Sequence, residues 1–186
     1  MVRVTPQRLD REDWITAGLD GLERAGVEAV AVVPLARDLG VTRGSFYWHF
    51  DSRDDLLAAV LERWEREHST EVLEAVAAIP DPRERLRAML ERGVLKPASY
   101  FARLLDAADR EPLVAATLER VAAARLAVLG AAYRECGHTP AQARRSALIA
   151  YAAYVGFARL PQTGPGAPGA RERRALAAQV VATFVP

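Results

Sequence analysis

The chain is poor in the residues that build covalent or metal-bound frameworks. Cys136 is the one cysteine among 186 residues, so no intramolecular disulfide can form, which fits a reducing compartment. His49, His68 and His138 stand apart from one another at no metal-site spacing, so neither a metal nor a cofactor is expected. The least charged run, 147–158, is 12 residues long. A bilayer span needs roughly 20. The opening MVRVTPQRLDRED lacks the apolar segment of a secretory signal, and the expectation is a cytoplasmic protein without membrane contact. The glycine-rich GPGAPG is not followed by Gly-Lys-Ser/Thr, so it reads as a loop and not a phosphate cradle. Asp106 and Asp109 read as a solvated face, and no Ser, His and Asp set suggests a nucleophilic triad; an enzyme is not expected.

Net positive charge is also nearly absent, at +1, which excludes a simple polycation. Residues 1–70 hold nine arginines against thirteen acids, a net of −4, and the remainder carries +5. Any nucleic-acid contact by the first segment therefore needs a local patch of positive charge. Arg3, Arg8 and Arg11 are candidates for an arm toward a phosphate backbone.

Strand-like alternation is missing as well, and helical spacing takes its place. The pattern predicts an all-α chain of about nine helices, near 10–25, 34–40, 42–48, 52–68, 82–94, 98–109, 112–136, 140–160 and 170–184. Gly26 and Gly40 are expected to stop the first two. Ser52-Arg53-Asp54-Asp55 has the form of a capping box for the fourth. In the helix at 112–136, Leu118, Ala122, Leu126, Leu129 and Tyr133 form the expected seam.

The stretch LARDLGVTRGSFYWHF, 35–50, reads as helix, tight turn with glycine, and short helix, the helix-turn-helix order. Thr42 is expected to cap the short helix, which puts Thr42, Arg43 and Ser45 at its open start. A hydroxyl, a guanidinium and a second hydroxyl there suit base edges in a major groove, and Gly44 allows close backbone approach. Phe46 and Phe50, four apart, should face inward. Tyr47, Trp48 and His49 are left for a polar partner; their phenol, indole N–H and imidazole can all bond phosphate. Arg53 adds a charge beside a helix N-terminus.

The stretch GVEAVAVVPLARDLGVTRGSFYWHFDSRDDLLAAV, with Tyr47, His49, Phe50 and then Arg53, resembles the DNA-binding domain of the TetR family of transcriptional regulators over about 9–60. The resemblance implies an all-α homodimer, DNA binding by the first three helices (domain 1–52), and a divergent ligand-binding and dimerisation domain (53–186). It implies that Thr42, Arg43, Gly44 and Tyr47 fall at base- or backbone-contacting positions, and Tyr47, His49 and Arg53 at phosphate-contacting ones. Two departures stand out: Ala31 replaces the usual Thr or Ser opening the second helix, and Arg53 replaces the common Lys.

The segments 147–158 and 175–185 are almost wholly apolar, so a second subunit is expected to cover what the chain's own core does not. Leu148, Tyr151, Ala152, Val155, Gly156, Val180, Val181 and Phe184 are the candidate dimer contacts. Trp64, His68, Met89, Tyr100, Phe101, Leu105, Leu118, Leu126 and Tyr133 are candidates to line a pocket for an apolar or aromatic effector. The expected function is a ligand-released repressor on a palindromic double-stranded DNA operator. The alternatives are a helical small-molecule-binding protein or enzyme without operator binding, and a helix-turn-helix accessory that uses its exposed rings on a protein partner.

Overall fold

The first helix, α1 (Arg11–Ala25), begins at a reciprocal cap set by two aspartates three apart. The Asp13 N–H donates to the Asp10 carboxylate at 3.0 Å, and the Asp10 N–H donates back to Asp13 at 2.8 Å. The structure is a computed structural model and describes residues 9–95, 99–160, 164 and 166–186, the Ser99 side chain excepted. A single 3₁₀ turn, Val27–Ala29, follows Gly26, and then α2 (Val32–Asp38), α3 (Arg43–Phe46) and α4 (Arg53–Glu65). Helix α2 starts two residues before Pro34, where its start was expected. A proline in the first turn removes only an N–H that has no partner inside the helix, so it does not mark the first residue. Ser52 caps α4 by accepting the Asp55 N–H at 3.1 Å. The return bond of the expected box comes from the Asp51 N–H to Asp55, at 3.2 Å, and not from Ser52.

The fourth helix does not end near 68. It passes through a π-helical turn, Arg66–Thr70, into α5 (Glu71–Ala77). Helices α6 (Pro82–Leu95), α7 (Ser99–Ala107), α8 (Pro112–Glu135), α9 (Pro140–Arg159) and α10 (Ala170–Phe184) complete the order. With α4 and α5 counted as one path, the described residues hold nine helical rods and no strand, the all-α architecture expected. Of the loop after α9, Leu160, Gly164 and 166–169 are described; residues 161–163 and 165 lie outside the described set, as do Arg3 and Arg8.

The chain divides into two units, Met1–Trp64 and Glu65–Pro186. The boundary between these compact units falls inside α4, whose Leu56, Leu57, Val60 and Leu61 are buried. Gly18 lets α1 approach α4 closely: a Cβ on it would stand 2.6 Å from Val60 Cγ2. Arg63 fastens the two helices by donating to Thr16 at 3.0 Å and pairing with Glu12 at 3.3 Å.

In the second unit, α6, α8, α9 and α10 share a core of Leu86, Leu90, Leu129, Tyr133, Ala147, Ala177, Val180 and Val181, among others. The buried residues of α8 are Val114, Thr117, Leu118, Val121, Arg125, Leu129, Ala132 and Tyr133; Leu118, Leu129 and Tyr133 of the expected seam are inside, and Ala122 and Leu126 lie at its margin. Small Ala143, Ala147 and Ala150 let α9 lie close to α8. The buried Tyr133 hydroxyl donates to the Phe184 carbonyl at 2.8 Å, and burial pushes its phenol up to about 12. Among the described residues no helix is long and apolar enough to cross a membrane.

Candidate nucleic-acid interface

The turn between α2 and α3 is fixed by glycine. Gly40 has φ +69°, a left-handed conformation that a β-carbon disfavours. It lets the Gly40 N–H reach the Arg37 carbonyl at 3.1 Å and the Val41 N–H reach the Ala36 carbonyl at 2.9 Å. This paired closure satisfies the last carbonyls of α2 and redirects the chain into α3.

Phe46 and Phe50 then anchor α3 from below. Both are buried and stack at 5.5 Å, and Trp14 meets Phe46 edge-on at 5.3 Å. Their spacing leaves the intervening side chains facing out. Trp48 is 87% exposed and Tyr47 50%; Thr42, Arg43 and Gly44 are exposed, and Ser45 and His49 partly buried. The Arg43 guanidinium donates to the Tyr47 hydroxyl at 2.8 Å and lies 5.7 Å from its ring centroid, which holds a positive group and a phenol together on the outer face.

Thr42 and Arg53 differ in detail from expectation. Thr42 occupies the cap position, but its hydroxyl makes no cap bond; the first turn closes through the Ser45 N–H and the Thr42 carbonyl at 3.0 Å. Gly44 is not required by the protein's own packing, since a Cβ there would meet only Thr42 Oγ1, at an ordinary 3.6 Å. Arg53 is turned inward: its Nε donates to the Val30 carbonyl at 3.1 Å and its Nη2 to the Val27 carbonyl at 3.3 Å, while Nη1 pairs with Asp54. The arginine fork closes the carbonyl ends of the turn before α2, a geometry one ammonium could not match. Ala31 opens α2 without a side-chain cap bond. Arg11 lies 4.7 Å over the Phe50 ring, beside the same segment.

Local pairing offsets part of the unit's acidity. Glu12 is held by Arg63, and Asp38 by Arg24 at 3.0 Å.

The candidate ligand residues do not form one group. Trp64 is buried in the first unit. Tyr133 belongs to the core of the second, with Met89 and Leu126 packed on it; Leu118 is buried and Leu105 partly buried. His68, Tyr100 and Phe101 do converge: His68 and Tyr100 are 5.0 Å apart, and Phe101 lies 5.0 Å from Tyr154. Arg125 and Tyr154, which the sequence reading left out, complete that group, with the guanidinium 5.3 Å from the Phe101 ring and 4.5 Å from Tyr154. The available signal was an arginine standing on the apolar stripe of α8.

The candidate dimer residues also separate. Val180 and Val181 are buried in the subunit's own core against α6, because α10 turns its largest side chains that way, and Phe184 packs on the same core. Tyr151 is partly buried, 6.1 Å from Tyr154. Leu148, Ala152 and Gly156 are exposed along one stripe of α9 beside Ile149, and Val155 is partly buried. Leu148 and Ile149 expose 56% and 55% of their surface.

Residues 15–60 match the family described as bacterial regulatory proteins, tetR family. The tetracycline repressor protein class G of Vibrio anguillarum is 31% identical over 110 residues, covering 59% of this chain and 48% of that protein. The chain spans about half the length of the curated relatives it matches. A transcriptional regulator from Rhodococcus sp. Rha1 shares the fold with TM-score 0.79 at 21% identity, over 95% of this chain and 96% of that one. AibR, solved in complex with isovaleryl coenzyme A and operator DNA, gives TM-score 0.69 at 16% identity, over 97% and 99% of the two chains. The helix-turn-helix at 32–46 lies inside the segment that matches the tetR family of bacterial regulatory proteins.

Proposed function

We propose that the chain is a sequence-specific repressor that binds a palindromic operator as a homodimer and leaves it when a small-molecule effector binds the second unit. One observation carries the reading: the outer face of α3 presents Thr42, the joined Arg43 and Tyr47, and Trp48, while Phe46 and Phe50 hold it rigidly from beneath. In a major groove Arg43 can take guanine O6 and N7 as a fork. Thr42, whose hydroxyl caps nothing, and Ser45 add hydroxyls at the same helix start. Gly44 favours close approach by the duplex. Tyr47, Trp48 and His49 supply phosphate donors. Arg53 acts by positioning the turn and shares its charge with phosphate only secondarily.

The α9 stripe of Leu148, Ile149, Ala152 and Gly156 supports a symmetric pair. Two copies of α3 roughly 34 Å apart would read half-sites one helical turn apart. The chain enters the second unit through the π-helical turn and without a loop, which gives an effector a local element to act on. The effector must bind the DNA-free arrangement more tightly than the DNA-bound one.

Selection of bound sites from random duplex DNA, followed by anisotropy titrations against salt, tests this. The selected site should be an inverted repeat bound by two chains. Arg43→Ala should reduce its preference over a scrambled duplex by about 1–3 kcal/mol. Equal affinity of the wild type for selected and scrambled duplexes would remove the proposal.

A further inference from the structure

Arg125 is the anomaly of the second unit. It stands on the buried stripe of α8 with 9% of its surface exposed. Its Nη2 donates to the His68 carbonyl at 3.2 Å, and its guanidinium lies against the Phe101 and Tyr154 rings. Its Nη1 is sealed from solvent and has no hydrogen-bond partner, and among the described residues no carboxylate pairs with it. Burying a cation without a counter-charge opposes folding, and ring faces replace only part of the lost hydration.

The surroundings of Arg125 have the make-up of a recognition site. Tyr151 and Tyr154 are partly buried, as are His68 and Tyr100, so the group of rings around Arg125 reaches the surface. The Tyr154 ring fits beside α6 only because position 93 is glycine: a Cβ there would stand 2.7 Å from Tyr154 Cδ2. Arg125 is near enough to favour the ionised form of Tyr151, against the larger effect of burial, which raises that phenol.

We infer that Arg125 anchors the acidic group of the effector, a small organic carboxylate with a flat or apolar body. The carboxylate meets Nη1, and the body lies among Phe101, Tyr154 and the neighbouring rings. This rests on the effector site proposed above for the second unit and assigns its chemistry. The same guanidinium holds the His68 carbonyl of the π-helical turn through Nη2, so a carboxylate on Nη1 is joined to that turn through one side chain.

The test uses the full chain and three probe pairs, benzoate, phenylacetate and octanoate, each against its primary amide, by calorimetric titration and thermal melting. At least one acid should bind about tenfold or more tightly than its amide, the range of a hydrogen bond to a charged group. Arg125→Met should remain folded, with unchanged helical circular dichroism, and lose that preference. Three pairs without preference in the wild type, or a preference retained in Arg125→Met, overturn the inference. So does failure of Arg125→Met to fold, since the cation is then structural. Operator titration of the wild type separates the two proposals: acid preference without duplex preference sinks the repressor and leaves the anion site, and the reverse result does the opposite.

Discussion

Adjacent aromatic residues in the row 46–50 should have opposite effects when truncated, and the structure sets both sizes. Phe46 is fully buried against Trp14, Tyr47 and Phe50, at 5.3, 5.2 and 5.5 Å between ring centroids. Phe46→Ala deletes a ring at the centre of the first unit's core, and cavities of that kind cost about 3–5 kcal/mol. A domain's whole stability is only about 5–15 kcal/mol. Trp48 is larger but 87% exposed, so Trp48→Ala removes little buried area and should fall within about 0.5 kcal/mol of wild type. Duplex binding should reverse the order, with Trp48→Ala folded like wild type yet weaker on the selected operator. Urea unfolding followed by circular dichroism gives the first comparison, and anisotropy on the same samples gives the second. A Trp48→Ala loss above about 2 kcal/mol, or a Phe46→Ala loss below about 1, would show that the division of rings between core and surface is wrong.

Two other substitutions probe single groups. Arg53→Ala removes the side-chain donors to the Val30 and Val27 carbonyls, of which Val27 keeps the Val30 N–H, and should lower stability by about 1–3 kcal/mol; a loss under about 0.5 in urea unfolding would count against this positioning role. Tyr133 has its phenol raised to about 12, so its neutral form stabilises the fold fully below the ordinary value near 10, and that contribution disappears as pH climbs from there toward 12. Tyr133→Phe should flatten this alkaline decline, and an unchanged slope in pH-stepped urea titrations would count against the assignment.

Much of the first unit was legible because its signals are local. Gly26 and Gly40 end α1 and α2, and Phe46 and Phe50 select one face by their spacing. The π-helical turn was not legible, since Trp64 before it and His68 within it keep the spacing of an ordinary helical stripe. Nor was the inward turn of Arg53, because its acceptors lie 23 and 26 residues earlier in the chain.

The sequence by itself determined the helices, their caps, the helix-turn-helix and the division of the aromatic row. These depend on backbone hydrogen bonds and side-chain periods within a few residues. Tertiary structure decided which of several apolar faces is inside. It turned Val180 and Val181 into the subunit's own core, moved Ala122 and Leu126 to the margin of the α8 seam and buried Arg125 with no carboxylate partner among the described residues. In an alanine-rich helix many faces are apolar enough to bury, and the choice falls to the volumes and charges that neighbouring helices bring against them.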